Sequence, residues 1–346
     1  MYHDYQVDLL ISKLKRRQIV NSGQAAIQTA YLMRKVIAAT KSHQADKLID
    51  TVKEIGKRLV SAQPMELVVG NIIRRVLHII REEYTTIMKQ EQNKIPQFPS
   101  SSSTMFNLLE TSDDIDYSNT FYDFKQLVID GIKDLIDELE TQQQNIANQA
   151  LEHIHSNEII MTLNNSETVQ NYLKQAAKTR TFQVIVADTS PTHEGQVMAK
   201  ALASAGIETT LIPDSAIFAV MSRVNKVILG SHTVTANGGL IACTGSRIVA
   251  TAAKYHSTPV VVCIGLYKLS PQYPFDIEEY NLCVSPDQVY TYDEGDILEK
   301  VDIINPYYEY VPPELVSLFI TNVGPQPPTY MYRLLNEFYS KEDFEI

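Results

Sequence analysis

The chain has 346 residues, 44% hydrophobic and 21% charged, with a formal net charge of −11. That length favours two domains with ample buried core, and the acidic balance argues against nucleic acid or an anionic membrane as a partner held by bulk charge. A basic protein surface stays open as a partner, and no run of about 18 apolar residues is present to span a bilayer.

The first half reads as helices. Val7, Leu10, Ile11 and Leu14 recur at helical spacing over about 4–18. Asn21 and Ser22 can cap a second helix carrying Ile27, Tyr31, Val36 and Ile37. A third, over about 45–62, gathers Leu48, Ile49, Val52, Ile55 and Leu59 on one side. Pro64 is expected to open a fourth, with Val68, Ile72, Ile73, Val76, Ile79 and Ile80. Four amphipathic helices in succession imply a helical bundle. Prolines, a serine run and the acidic stretch Asp113-Asp114-Ile115-Asp116 then mark a loop expected to be mobile over about 95–120.

A long helix is expected over about 121–153, with Phe124, Val128, Ile132, Leu135, Ile136 and Leu139 inward. Asp123, Asp130, Asp134 and Asp137 share its opposite side, within roughly 60° of one another. Such a stripe is either a solvated helix face or a docking surface for a basic partner.

From Glu158 onward the period changes. Five short apolar runs, at 159–162, 182–187, 207–212, 226–230 and 260–263, alternate with helical segments. Alternation of this kind indicates right-handed βαβ crossovers. The fold class is therefore α/β: an N-terminal helical domain over 1–155, then a Rossmann-like doubly wound parallel-sheet domain over 156–346. Ligands of such sheets bind at the carboxyl ends of the strands.

Candidate sites are sparse there. Asp214 and Ser215 open one helix, and Gly245 and Ser246 open another. Each is able to hold an anion on free N–H groups or simply to cap its helix. Asp188, Thr189 and Ser190 end a strand. No dinucleotide fingerprint, P-loop, metal-ligand set or nucleophile–base pair is present, so no catalytic residue, metal or cofactor is expected. The three cysteines, Cys243, Cys263 and Cys283, read as small buried apolar residues of a protein from a reducing compartment, the cytosol. The opening Met1-Tyr2-His3-Asp4 lacks a secretory signal layout.

Several motifs carry a resemblance over nearly the whole chain: Ala216-Ile217-Phe218-Ala219-Val220-Met221-Ser222-Arg223-Val224-Asn225-Lys226, Ala236-Asn237-Gly238-Gly239, Tyr255-His256-Ser257-Thr258-Pro259, Lys268-Leu269-Ser270-Pro271-Gln272 and Tyr310-Val311-Pro312-Pro313-Glu314-Leu315-Val316. Together they resemble the superfamily that joins sugar-phosphate isomerases to the regulatory subunits of initiation factor 2B, the guanine-nucleotide exchange factor for initiation factor 2. The isomerases keep a thiol, two carboxylates and a lysine. Here the matching stretches are Thr162-Leu163-Asn164-Asn165, Gly230-Ser231-His232, Asn237-Gly238-Gly239 and Ala242-Cys243. Acid–base isomerisation needs groups that pass a proton, which these stretches do not supply in the family's pattern.

The resemblance thus implies a regulatory, non-catalytic subunit, with a sugar-phosphate isomerase or phosphometabolite sensor as the alternative. In that factor the alpha, beta and delta subunits form a core that bridges two catalytic gamma–epsilon pairs in a two-fold decamer. The core binds the alpha subunit of initiation factor 2 and senses its phosphorylation, while the epsilon subunit exchanges GDP for GTP. The resemblance implies that Asp130, Asp134 and Asp137 face that substrate, and that His155 and Asn157 meet a neighbouring delta subunit.

Overall fold

The computed structural model describes residues 2–19, 21–40, 42, 44–94, 117, 119–121, 123–276, 280–293 and 300–345. Most of the loop expected over about 95–120 lies outside them. The chain divides into two units. One comprises Met1–Leu139 with Phe338–Ile346, the other Glu140–Glu337. The division falls inside a helix rather than at residue 155, because the last turns of that helix pack with the sheet; Ile146 and Ala150 lie in the sheet core. Among the described residues no helix is long and apolar enough to cross a membrane.

The helical unit contains α1 (Tyr2–Lys15), α2 (Ser22–Ala39), α3 (Ala45–Ala62), α4 (Leu67–Lys94) and the first part of α5 (Phe124–Asn148). Asn21 caps α2 by accepting from the Gly23 N–H at 2.8 Å. Pro64 lies in the turn before α4 instead of in its first helical position. The far end of α2 is closed by Lys125, whose Nζ donates to the carbonyls of Ala38 and Thr40, both at 2.7 Å. A cation on the last carbonyls of a helix satisfies orphan acceptors and complements the dipole.

Val128, Ile132 and Phe124 are fully buried along α5. A Cβ at Gly131 would stand 2.8 Å from Ile79 Cγ2, so glycine is what lets α5 approach α4 this closely. Tyr84, fully buried on α4, packs its ring against Tyr117, Phe121 and Phe124 at centroid distances of 5.0, 5.6 and 5.8 Å.

The second unit opens with the end of α5 and α6 (Ala150–His153), the long helix having broken at Gln149. Its strands are β1 (Ile159–Leu163), β2 (Gln183–Ala187), β3 (Glu208–Ile212), β4 (Lys226–Gly230), β5 (Thr233–Val234), β6 (Leu240–Cys243), β7 (Val260–Cys263), β8 (Tyr308–Val311), β9 (Leu318–Thr321) and β10 (Gly324–Gln326). Between them lie α7 (Glu167–Ala177), α8 (Glu194–Ala203), α9 (Ile217–Met221) and α10 (Ser246–Tyr255), with α11 (Met331–Phe338) after β10.

One seven-stranded sheet runs β10-β9-β7-β4-β1-β2-β3, and a smaller sheet runs β5-β6-β8. Every pairing of the large sheet is parallel except β10 on β9. The central strands read as unbroken apolar runs, as burial on both faces requires; Ile160, Val184, Val186 and Ile228 are buried to within 1%. The chain steps from β1 outward through β2 to β3, then crosses to β4 on the other side of β1. This reversal makes β1/β4 the point at which a doubly wound sheet opens a ligand crevice.

Candidate functional site

At that crevice the chain fills its own space. Gly230 ends β4, and a Cβ there would lie 2.5 Å from Ser166 Oγ and 2.8 Å from Ser166 Cβ. Ser166 is the N-cap of α7, so cap and strand end meet with no room for a methyl group between them. The Asn164 N–H donates to Thr189 Oγ1 at 3.0 Å, which ties the loop after β1 to the loop after β2.

The loop after β2 is held by the residue expected to open an anion site. The Asp214 carboxylate accepts from the N–H groups of Thr189 and Ser190 at 2.9 and 2.6 Å. It therefore serves as the anion for that loop's donors, while Ser215 is exposed. Thr189 sits at φ 61°, outside the usual region for its residue type, so these bonds help fix a conformation the backbone does not favour. Beyond it Asp188 meets His193 Nδ1 at 2.6 Å and accepts from Gln196 Nε2 at 2.9 Å.

The start of α10 is likewise occupied. Gly245 takes φ 99°, a conformation natural to glycine, and Ser246 donates to the Cys243 carbonyl at 2.6 Å. The Arg247 N–H donates to Glu309 Oε1 at 2.8 Å, and the N–H groups of Gly245 and Ser246 also favour that carboxylate. Glu309 comes from β8, which pairs with β6 so that Glu309 stands opposite Ala242. Burial pushes its carboxyl above the usual range, against the pull of these N–H groups. A carboxylate of the chain thus takes the place a phosphate would need.

Burial also pushes the Cys243 thiol up to about 12, with the charges of Glu309, Asp214 and Glu194 adding to it. Three carboxylates thus bear on Cys243, with Arg247 the cation beside Glu309. His232 stacks on Tyr308 at 4.5 Å, and Asn237 accepts from Gly239 N and Thr235 Oγ1 in a tight turn, so both family positions serve the architecture. Cys263 is buried, Cys243 half-buried and Cys283 exposed, which corrects the expectation that all three are interior. Among the described residues no group of three or more His, Cys, Asp or Glu could hold a metal.

The other candidate residues lie elsewhere. Asp130, Asp134 and Asp137 are exposed on α5. Asp130 accepts from Gln126 Nε2 at 3.2 Å through each oxygen. The Glu83 carboxyl of α4 is raised by burial and then by the charges of Glu82 and Asp134. His155 and Asn157 sit exposed in the turn before β1. His155 Nδ1 is 3.3 Å from Arg180 Nη1. Asn157 adopts φ 65° and donates its N–H to the Thr181 carbonyl at 2.8 Å.

This arrangement defines an α/β scaffold whose sheet crevice is filled by its own side chains and which carries exposed polar surfaces. Residues 18–328 match the family described as the Initiation factor 2 subunit family, and the chain belongs to it. Within the family it is 46% identical to the translation initiation factor eIF2B subunit beta of Dictyostelium discoideum, covering 96% of this chain and 95% of that one. It also resembles a chain of the tetrameric eIF2B-beta2-delta2 complex from Chaetomium thermophilum, with TM-score 0.73 and 30% identity over 97% of this chain and 95% of that one. An enzyme, the ribose 1,5-bisphosphate isomerase of Thermococcus kodakarensis, is 24% identical over 95% of this chain and 93% of its own.

Proposed function

We propose that the chain is a regulatory, non-catalytic subunit of eIF2B, of the beta type, and that it works in the cytosol through protein surfaces. Its near-full-length similarity to an eIF2B beta subunit supports this reading, as does the likeness to a chain of a beta–delta tetramer. The observation that carries it against the isomerase alternative is the crevice. The family's proton-transfer residues are replaced, the Asp214 carboxylate is spent on the Thr189 and Ser190 N–H groups, and Glu309 occupies the start of α10. Its partners are the delta subunit and, through the assembled two-fold decamer, the alpha, gamma and epsilon subunits. His155 and Asn157 supply part of the contact with delta.

On this reading Asp130, Asp134 and Asp137 face the alpha subunit of initiation factor 2, whose phosphorylation the assembled core senses. Reversing all three to lysine is expected to slow association with that substrate by about tenfold at low salt, the scale of electrostatic steering, while complex assembly stays intact. Surface-captured complex titrated with initiation factor 2 at several ionic strengths measures this. Unchanged binding at low salt would remove the stripe from the substrate interface.

A further inference from the structure

We propose that the α3–α4 face of the helical unit is a peptide-docking groove, and that its ligand is the chain's own segment 338–345, pinned by Asp343. Phe338 ends α11, and the residues beyond it form no strand and only one 3-10 turn, Lys341–Asp343. The segment is held by its carbonyls and a few side-chain anchors, as a docked peptide is held.

The groove is built by cations. Arg74, Arg75, His78 and Arg81 lie along one side of α4, and Lys53 projects from α3. Asp343 is fully buried and takes a two-pronged grip from Arg81, Nε to Oδ2 at 2.8 Å and Nη2 to Oδ1 at 3.0 Å. Lys53 Nζ adds a third contact at 2.8 Å. Arg74 Nε donates to the carbonyls of Asp343 and Phe344, both at 3.2 Å, and Arg75 Nη1 donates to the carbonyl of Phe338 at 3.3 Å. Ser340 Oγ lies 3.0 Å from His78 Nδ1, and Glu342 pairs with Arg81. Two aromatic anchors complete the set: Tyr339, 3% exposed, and Phe338, whose ring lies 4.7 Å from the Arg75 guanidinium.

The chemistry of the occupant follows from the groove. Arg74 and Arg81 are buried, and a buried cation deprived of its partner is strongly unfavourable. The surface therefore needs an acidic peptide with an aromatic lead, and 338–345 has that composition: Phe338-Tyr339-Ser340-Lys341-Glu342-Asp343-Phe344-Glu345. Because the residues beyond α11 add only this one turn to the unit, the segment is a docked strap that detaches by itself, independent of the proposed role of the chain.

The test is hydrogen exchange on the full chain carrying Asp343→Asn. Exchange over 338–345 is expected to quicken by at least about tenfold, with α1, α2 and α3 keeping their protection, since a local opening is separable from the unit it leaves. A chain ending at Glu337 gives the second arm. A synthetic peptide of residues 338–346 should raise its melting temperature saturably, and the same peptide with Asp343→Asn should bind at least about tenfold more weakly. Unchanged exchange over 338–345 would overturn the proposal. So would simultaneous loss of protection across α1–α4, which would make the segment an inseparable part of the core.

Discussion

Replacing Asp214 by alanine isolates the claim that this carboxylate organises the crevice. In the wild-type chain its two oxygens each accept one backbone N–H, from Thr189 at 2.9 Å and Ser190 at 2.6 Å. A hydrogen bond to a charged group contributes about 1.5–3 kcal/mol net, and the half-buried position of Asp214 puts each bond at the low end of that range. The substitution should therefore cost about 2–3 kcal/mol, since both N–H groups lose their acceptor. Asparagine should rescue little. Its single carbonyl oxygen replaces one acceptor, while its amide group turns a donor toward the other N–H. Urea unfolding followed by far-UV circular dichroism and tyrosine fluorescence is the assay, because the chain has no tryptophan and 19 tyrosines. A loss below about 0.5 kcal/mol for Asp214→Ala, the range of ordinary surface changes, would refute the role assigned to it.

Two further outcomes follow from groups whose ionisation is set by their surroundings. Burial works to raise the Asp343 carboxyl, but the hydrogen bonds from Arg81 and Lys53 outweigh it and hold the carboxyl below the usual carboxylate range. Its contribution is thus fully present above the unfolded pKa and is lost as pH falls through the lower folded value. As pH falls below about 4, the protection of 338–345 should drop in wild type but change little in Asp343→Asn, which has lost this contribution already at neutral pH. Hydrogen exchange over that segment in both chains at several pH values decides this. Thiol titration gives the other outcome: near pH 8 only the exposed Cys283 should react promptly with a disulfide reagent. Burial raises the thiol of Cys263, and it pushes that of Cys243 up to about 12, so both should wait for unfolding.

The sequence is most legible where structure is local. The apolar spacing of Leu48, Val52, Ile55 and Leu59 delivers α3, and the run Val184-Ile185-Val186 delivers a doubly buried parallel strand. The smaller sheet is not legible this way. β5 is only Thr233–Val234, and β8 mixes Tyr308, Glu309 and Tyr310, so neither shows a period. β9 left a signal, the run Leu318-Phe319-Ile320, that periodicity alone could have flagged.

The site shows the same division. Asp214 and Ser246 sit where strand ends and helix starts predict, but Ser190, which donates to Asp214, and Glu309, which meets the Arg247 N–H at the start of α10, are brought there by pairings between distant stretches of chain. The cationic spacing of Arg74, Arg75, His78 and Arg81 was readable. That its acidic partner lies 262 residues further on from Arg81 was not.

Taken together, the charges distinguish a scaffold from a metabolite site. For a phosphomonoester to enter at α10 it would have to displace Glu309 from the N–H groups of Gly245, Ser246 and Arg247. The displaced carboxylate would then stand near a dianion in a crevice that Asp214 and Glu194 already make negative around Cys243. Like charges a few ångströms apart in a partly dry site oppose one another by several kcal/mol at an effective dielectric near ~20. A binding site would need donors in excess of acceptors, and here the acceptors are built in. Asp130, Asp134 and Asp137, by contrast, lie exposed on α5, the placement on which their proposed contact with a basic partner rests. The crevice inherited with the sheet thus serves to hold the strand ends in place, and the proposed recognition falls to the outer surfaces.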